Sequence, residues 1–178
     1  MPAAPEPSPF LLRHLGALVA AARGRSAADV ACGRGRNARA LAARGARAVG
    51  LDRDAGALRE LAGAPGPPVD VVRCDLEAGL APPLRAASLG AVVVTLFLHR
   101  PLCPALAALL APGGLLLYET FTRPQGKLPY GPEDPAFLLR ESELPGLFPT
   151  LRVVAFEEGV FGTPRPCHLA RLLARREG

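Results

Sequence analysis

The sequence predicts an α/β fold in which helices cover both faces of a parallel sheet. After a first helical stretch, short β-like runs alternate with alanine- and leucine-rich helical runs, and this alternation is typical of parallel sheets. The run at residues 91–98 (AVVVTLFL) is apolar with one interruption, as expected for a central strand that is buried on both faces. The chain of 178 residues has the length of one domain.

The elements are predicted in chain order. A Pro-rich tail at residues 1–9 is expected to be mobile, and a single domain fills residues 10–178. Residues 10–22 are predicted to form an amphipathic helix, because their apolar side chains recur at helical spacing. Five strands then alternate with three helices: strands at residues 27–32, 46–52, 69–74, 91–98 and 115–121, and helices at residues 37–44, 55–61 and 104–110.

The C-terminal third departs from this alternation. Residues 122–135 are polar and broken by Pro and Gly, which is typical of a functional or mobile loop. A helical stretch is predicted at residues 136–148. Residues 151–159 and 167–176 indicate a pair of strands, although the last run also fits a helix on its pattern alone.

Composition excludes several classes of protein. No apolar run reaches the about 18 residues that a membrane-spanning helix needs, so no membrane association is predicted. Residues 10–22 do not fit a signal peptide, because Arg13 and His14 interrupt them and no basic segment precedes them. Four scattered cysteines without a C-x-x-C pair indicate neither a disulfide framework nor a zinc site. We therefore predict no metal and a cytoplasmic location.

The charge distribution leaves the nature of the partner open. The formal net charge is +5, and the stretch from Arg13 to Arg47 holds eight arginines and a single acid, Asp29. Such a stretch fits an anionic partner such as RNA, and it equally fits arginines on solvated helix faces.

The segment DVACGRGRNA, Asp29 to Ala38, carries the main functional signal. Its Gly33, Gly35 and Ala38 satisfy G-x-G-x-x-A between a predicted strand and a predicted helix, and Asp52 ends the next strand, where a ribose-binding acid belongs. Two kinds of ligand fit this pattern: NAD-type dinucleotides and S-adenosylmethionine.

The acids around the turn discriminate between these ligands. Asp29 precedes the glycine turn, and a carboxylate there would repel a pyrophosphate but attract the ammonium and sulfonium of S-adenosylmethionine. Asp75 ends the third strand, where it can accept a hydrogen bond from an adenine amino group, and Leu76 beside it can cover the purine. The three acids therefore favour a cationic ligand.

These segments resemble the motifs of class I S-adenosylmethionine-dependent methyltransferases, although Ala31 stands where that family usually has glycine. The resemblance implies a Rossmann-like three-layer α/β/α sandwich, with a seven-stranded, mostly parallel sheet whose last strand is antiparallel. ACGRGRNA, LHRPL and GGLLLYETF further resemble a bacterial subgroup of small enzymes related to tellurite-resistance and thiopurine-type methyltransferases. The segments that carry the family resemblance are DVACGRGRN, LDRD, CDLE, VVVTLFLH and LLAPGGLLLYE.

The predicted site follows from these motifs and from the rule that ligands of open α/β sheets bind at the carboxyl ends of the strands. His99, Tyr118 and Glu119 are the catalytic candidates, and His99 is the best possible base because histidine is the residue type suited to proton transfer near neutral pH. Each candidate also has a purely structural interpretation. His99 fits a histidine in a turn, Tyr118 fits a buried aromatic of a strand, and Glu119 fits a carboxylate paired with an arginine. The residues predicted to bind the cofactor are Asp29, Ala31, Cys32, Gly33, Gly35, Asn37, Asp52, Arg53, Asp75, Leu76 and Phe97.

The predicted activity is transfer of a methyl group from S-adenosylmethionine to a small-molecule acceptor, such as a thiol or a metalloid anion. The fourth motif, TLFLHR, lacks the D/N-P-P-Y/F signature that similar enzymes use on base amino groups, which disfavours such substrates. The alternatives are an RNA methyltransferase that uses the arginine-rich N-terminal third, an NAD(P)-dependent reductase, and a cofactor-binding protein without catalysis.

Overall fold

The computed structural model describes residues 6–79, 81–162 and 164–178, and seven strands in it form one sheet in the order β3-β2-β1-β4-β5-β7-β6. The strands are β1 (Ser26–Val30), β2 (Arg47–Asp52), β3 (Val69–Arg73), β4 (Leu89–Thr95), β5 (Leu110–Phe121), β6 (Arg152–Phe161) and β7 (Cys167–Arg175). The helices are α1 (Pro9–Ala21), α2 (Arg36–Ala43), α3 (Ala55–Ala62), α4 (Cys103–Leu109) and α5 (Glu143–Gly146).

The sheet is mostly parallel. Strands β1 to β5 pair in parallel, and β7 runs antiparallel to both of its neighbours, β5 and β6. The predicted α/β class and the seven-stranded sheet with an antiparallel last strand are therefore confirmed. The strand interpretation of residues 167–176 is also confirmed over the helical alternative.

Helices cover both faces of the sheet, so the molecule has three layers. Phe10, Leu41 and Leu61 of α1, α2 and α3 pack on one face, whereas Leu106 of α4 and Leu144 of α5 pack on the other. All seven residues of β4 are buried, with alternate side chains in the two cores. This double burial explains the continuous apolar run in the sequence.

Two predicted elements end differently in the structure. Strand β4 stops at Thr95 rather than at residue 98, because Leu96 has a positive φ of 57° that breaks the extended backbone. The single helix predicted at residues 136–148 does not form: only Glu143–Gly146 is α-helical, and a 3-10 turn at Pro135–Phe137 precedes it. The backbone between them is extended at Leu138 and turns at Ser142, which has a φ of 55°. There Leu139 pairs with Thr122 instead of continuing a helix.

The predicted mobile tail is ordered at its end. Ser8 is buried and its hydroxyl caps α1 by accepting from the amides of Phe10 and Leu11, and Pro9 is the first residue of the helix. Residues 1–5 lie outside the described part of the chain. Within the described residues, none of the helices is both long and apolar enough to cross a bilayer.

Close contact between α1 and the sheet depends on Gly90 of β4. A Cβ at this position would lie 2.2 Å from the Ala21 carbonyl oxygen and 2.5 Å from the Ala22 Cα. Both atoms belong to the backbone, so they cannot move aside as a side chain would. Glycine at 90 is therefore required for the α1 layer to pack at its observed depth.

We expect Gly90→Ala to lower the free energy of unfolding by about 2–3 kcal/mol, because the added methyl group forces α1 away from β4. The control is Gly16→Ala in the interior of α1, where an added Cβ meets nothing within 4 Å. That change should raise the free energy of unfolding by about 0.5–1 kcal/mol through helix propensity. Urea denaturation measures both, and equal stability of the two variants would contradict the packing argument.

Candidate active site

A cavity of about 410 Å³ opens at the carboxyl ends of the parallel strands. This is the edge where open α/β sheets bind ligands. The cavity also borders on residues 122–143, which follow β5 and are called the capping segment below. The lining residues are Ala31, Asp52, Arg53, Cys74, Asp75, Leu76, Glu77, Leu96, Phe97, Leu98, Thr120, Phe121, Pro132 and Phe137.

Positive backbone φ angles shape the turn between β1 and α2. Ala31, Gly33 and Gly35 have φ values of 55°, 52° and 73°. Gly35 is the N-cap of α2, and a Cβ there would lie 2.4 Å from the Leu61 side chain. A Cβ at Gly33 would meet nothing within 4 Å, so open space lies beside that residue. The positive φ at Ala31 also gives a physical reason for the glycine that similar sequences carry there.

Asp52 connects this turn to the end of β2. One carboxylate oxygen accepts from the Gly33 amide at 2.7 Å, and the other accepts from the Asp54 amide at 3.0 Å. A carboxylate has about four acceptor positions, so both oxygens can still accept from a ligand hydroxyl. The geometry therefore fits the predicted ribose-binding role of Asp52.

The end of β3 supplies the adjacent part of the cavity. Asp75 is exposed, and its carboxylate accepts from the Glu77 amide at 3.0 Å. Leu76 is buried and contributes an apolar surface to the cavity. Arg53 also lines this part, and it forms an ion pair of 2.9 Å with Glu77.

Several residues predicted to bind the cofactor lie beneath the turn rather than in the cavity lining. Asp29 is buried, and its carboxylate accepts from the Ala38 amide at 2.9 Å, in the first turn of α2. Asn37 is buried too: its side chain donates to the Thr95 hydroxyl at 2.8 Å and accepts from the Ser8 amide at 3.0 Å. Cys32 and Gly35 are also absent from the cavity lining. Asp29 and Asn37 therefore stabilise the turn from its buried side.

Burial changes the acidity of two of these groups. Desolvation raises the pKa of Asp29 to about 7, against the opposing effect of its hydrogen bond with the Ala38 amide. Desolvation also raises the pKa of the Cys32 thiol far above its usual range, which makes this cysteine an inert filler rather than a nucleophile.

None of the three catalytic candidates lines the cavity. Tyr118 is fully buried below it, and its hydroxyl donates to the Phe97 carbonyl at 3.0 Å. Glu119 points to the other face of the sheet, because side chains alternate along a strand, and it pairs there with buried Arg171 at 2.6 Å. His99 lies in a small adjoining recess with Pro101 and Leu102. The structural interpretations of Tyr118 and Glu119 therefore match the observed contacts.

Sequence reasoning missed several lining residues, of which Leu96 is the clearest. This leucine combines a positive φ of 57° with a side chain that is 44% exposed, and its amide donates to the Glu119 carbonyl. A large residue in this conformation costs energy and commonly marks a functional site. Pro132 and Phe137 were missed because they come from the irregular capping segment. Thr120 differs from them, because it lies near the end of the predicted fifth strand, where ligand contacts are expected.

The fold and the site together define a Rossmann-like methyltransferase. Residues 27–114 match the family described as a methyltransferase domain. This stretch contains the glycine turn, Asp52 and Asp75. This domain match and the shared fold support a class I S-adenosylmethionine-dependent methyltransferase with S-adenosylmethionine as its cofactor.

Solved structures share the fold at low sequence identity, and a sequence search of curated proteins finds no match. TehB from Haemophilus influenzae is 19% identical with a TM-score of 0.68, and the match covers 91% of this chain and 62% of TehB. This chain therefore spans less than two thirds of TehB. A methyltransferase from Methanosarcina mazei is 16% identical with a TM-score of 0.73, and the match covers 97% of this chain and 99% of that protein. Magnesium protoporphyrin IX methyltransferase from Synechocystis, solved with bound S-adenosylhomocysteine, is 18% identical with a TM-score of 0.65, and the match covers 94% of this chain and 84% of that enzyme.

The charges of the cavity fit S-adenosylmethionine. Three carboxylates, Asp52, Asp75 and Glu77, line it, and the one arginine among the lining residues, Arg53, is engaged by Glu77. A net negative lining attracts a cationic ligand and repels a pyrophosphate. The sequence-based choice of a cationic ligand was therefore correct, but its support comes from these acids of the cavity lining rather than from the buried Asp29.

The raised pKa of Asp29 predicts a pH effect on stability. Because the folded protein binds the Asp29 proton more tightly than the unfolded chain does, the contribution of Asp29 is largest at acid pH and is lost as the pH rises through about 7. Asp29→Asn keeps an acceptor for the Ala38 amide but does not titrate. From about pH 5 to about pH 8, wild-type stability should fall relative to the Asn variant in urea denaturation. A constant difference between the two proteins would contradict the raised pKa.

Proposed function

We propose that the protein methylates a small, soft nucleophile, such as a thiol or a metalloid oxyanion, that reaches the cavity already deprotonated. The observation behind this proposal is the composition of the cavity near β4 and β5. The side chains there are apolar except for the Thr120 hydroxyl. They are Leu96, Phe97, Leu98, Thr120, Phe121, Pro132 and Phe137.

The carboxylates of the cavity lining are too far from the apolar part of the cavity, near β4 and β5, to act as a base there. Asp52 follows β2, and Asp75 and Glu77 follow β3, whereas Thr120 ends β5. In the sheet order β3-β2-β1-β4-β5, three strand spacings separate β2 from β5, or about 14 Å at about 4.8 Å per spacing. The carboxylates can therefore hold the cofactor while the acceptor lies elsewhere.

The chain's own residues then have separate tasks. Asp52 and Asp75 hold hydrogen-bonding groups of the cofactor, and Leu76 packs against its apolar part. When bound, S-adenosylmethionine supplies an electrophilic methyl group on a positively charged sulfur. Phe97 and Phe137 exclude water from the acceptor, which leaves an anionic nucleophile less hydrated and more reactive. Thr120 can orient the acceptor through a hydrogen bond, and the fixed alignment supplies the main rate gain.

The arrangement of the arginines supports a small acceptor over RNA. Arg23, Arg25, Arg44 and Arg47 line a recess at the start of β1 and β2. That is the amino edge of the sheet, about 17 Å from the carboxyl edge for a five-residue strand. Several arginines of this stretch are paired: Arg13 with Glu157, Arg34 with Glu60 and, in the recess itself, Arg47 with Asp70. RNA held at that recess would lie far from the cavity.

The four cysteines are free thiols, and two of them are buried. Such thiols persist in a reducing compartment, so the proposal assigns the enzyme to the cytoplasm.

The pH dependence of kcat/KM tests the absence of a protein base. With two thiols of different acidity, benzenethiol and an alkanethiol, the inflection of the pH profile should move with the acidity of the thiol, because only the thiolate reacts. Formation of S-adenosylhomocysteine measures the rate. His99→Asn should leave both profiles in place.

Two outcomes would contradict the proposal. One is an inflection at the same pH for both thiols that disappears in His99→Asn, since it would make His99 the base. The other is a lack of turnover with thiols and metalloid oxyanions, together with methylation of RNA that weakens steeply with salt.

A further inference from the structure

The capping segment is fixed to the rest of the protein at several points, and the contacts of Arg100 are the most extensive. The Arg100 guanidinium lies just beyond β4 and donates four hydrogen bonds. Two go to the Glu143 carboxylate at 2.7 and 3.0 Å, and the others go to the carbonyls of Ala136 and Leu138 at 2.8 and 2.9 Å. Phe137 lies between these two carbonyls in sequence.

The Arg100–Glu143 pair is a firm attachment. The Glu143 carboxylate is only 17% exposed, and the guanidinium fork that meets it holds the pKa of that carboxyl at about 2. The same carboxylate accepts from the Arg140 amide at 2.7 Å. Arg100 therefore fixes both the backbone around Phe137 and the start of α5.

One backbone hydrogen bond fixes the segment to β5 directly behind Phe137, and a second joins the two ends of the segment. The Leu139 amide donates to the Phe121 carbonyl, and the Arg123 amide donates to the Leu139 carbonyl, both at 2.9 Å. Leu138 and Leu139 are buried in the core. This pairing leaves little freedom for Phe137, whose own backbone closes a 3-10 turn.

The other end of the segment is held by Gln125, whose side chain is fully buried. Its amide group donates to the Tyr130 carbonyl at 2.8 Å and accepts from the His168 amide at 2.9 Å. The Tyr130 hydroxyl donates to the Pro166 carbonyl at 2.8 Å. Pro132, which lines the cavity, lies between these attachments and those of Arg100.

From these contacts we infer that the capping segment is a pre-formed wall in which Phe137, positioned by Arg100, sets the largest acceptor that the cavity admits. Phe137 lines the cavity but is 44% exposed, so its ring forms a rim rather than a part of the core. Arg100 is a positioning residue because it acts on the acceptor only through Phe137. The inference rests on the proposed function, which places the acceptor in the part of the cavity near β4 and β5.

The test measures binding rather than turnover. Benzenethiol and 2-naphthalenethiol are titrated calorimetrically into protein saturated with S-adenosylhomocysteine. The wild type should bind benzenethiol more tightly, and Phe137→Ala should shift the preference towards 2-naphthalenethiol about tenfold. Arg100→Gln should shift it in the same direction, and Arg100→Lys should not restore it, because an ammonium cannot replace the fork. Lys127→Gln, on the exposed surface of the segment, is the control for charge.

A second readout tests the positioning role of Arg100. In Arg100→Gln, amide hydrogen exchange within residues 132–139 should become about tenfold faster or more. The affinity for S-adenosylhomocysteine should stay within about twofold of the wild type in every variant, because the residues proposed to hold the cofactor, Asp52, Asp75 and Leu76, lie at or just beyond the ends of β2 and β3.

Three results would overturn the inference: a wild type that binds neither thiol, an unchanged preference in Phe137→Ala, or unchanged exchange in Arg100→Gln. A different result would contradict the proposed function alone. If the thiols bind with the expected change of preference but are not methylated when S-adenosylmethionine is supplied, the wall stands and the acceptor chemistry is wrong.

Discussion

The hydrogen bond of 2.7 Å from the Gly33 amide to Asp52 is the interaction on which the site depends. It joins the turn after β1 to the end of β2, and it orients the carboxylate at the same time. From below, Asp29 holds the start of α2 through the Ala38 amide. The two carboxylates thus fix opposite sides of one turn. Gly33 and Gly35 adopt their positive φ angles without strain, and the attachments on both sides hold the one strained residue, Ala31, in place.

The order of the strands then divides the cavity into two environments. Carboxylates follow β2 and β3, where a cationic cofactor gains from negative charge, and apolar side chains follow β4 and β5, where an acceptor gains from exclusion of water. Tyr118 fixes the apolar region to the core, because its hydroxyl donates to the Phe97 carbonyl just after the strained Leu96. Arg100 extends this rigidity to the capping segment.

Sequence reasoning predicted well what depends on local pattern. Strand ends and turns leave a short-range signature, and a parallel sheet brings those ends to one edge, where Asp52 and Asp75 line the cavity. That these residues and the glycine turn bind the cofactor stays a prediction. The direction of Asp29 was not predictable in this way, since a strand-end acid can face a ligand or the helix behind it. Glu119 was assigned to the site because its partner, Arg171, is 52 residues away in sequence. The failed helix at residues 136–148 has a similar cause: Arg100 takes the carbonyls that a helix would have used.

The most direct test of this account is calorimetric titration of the wild type, Asp52→Ala and Asp70→Ala with S-adenosylmethionine and, separately, with NADH. Asp70 is an exposed acid of β3 that pairs with Arg47, away from the cavity, and it controls for the loss of one charge. The account predicts binding of S-adenosylmethionine alone, weakened about 10- to 100-fold by Asp52→Ala and unchanged by Asp70→Ala. Binding of NADH in its place, or equal affinity for S-adenosylmethionine in all three proteins, would contradict the assignment of the glycine turn and Asp52 to the cofactor.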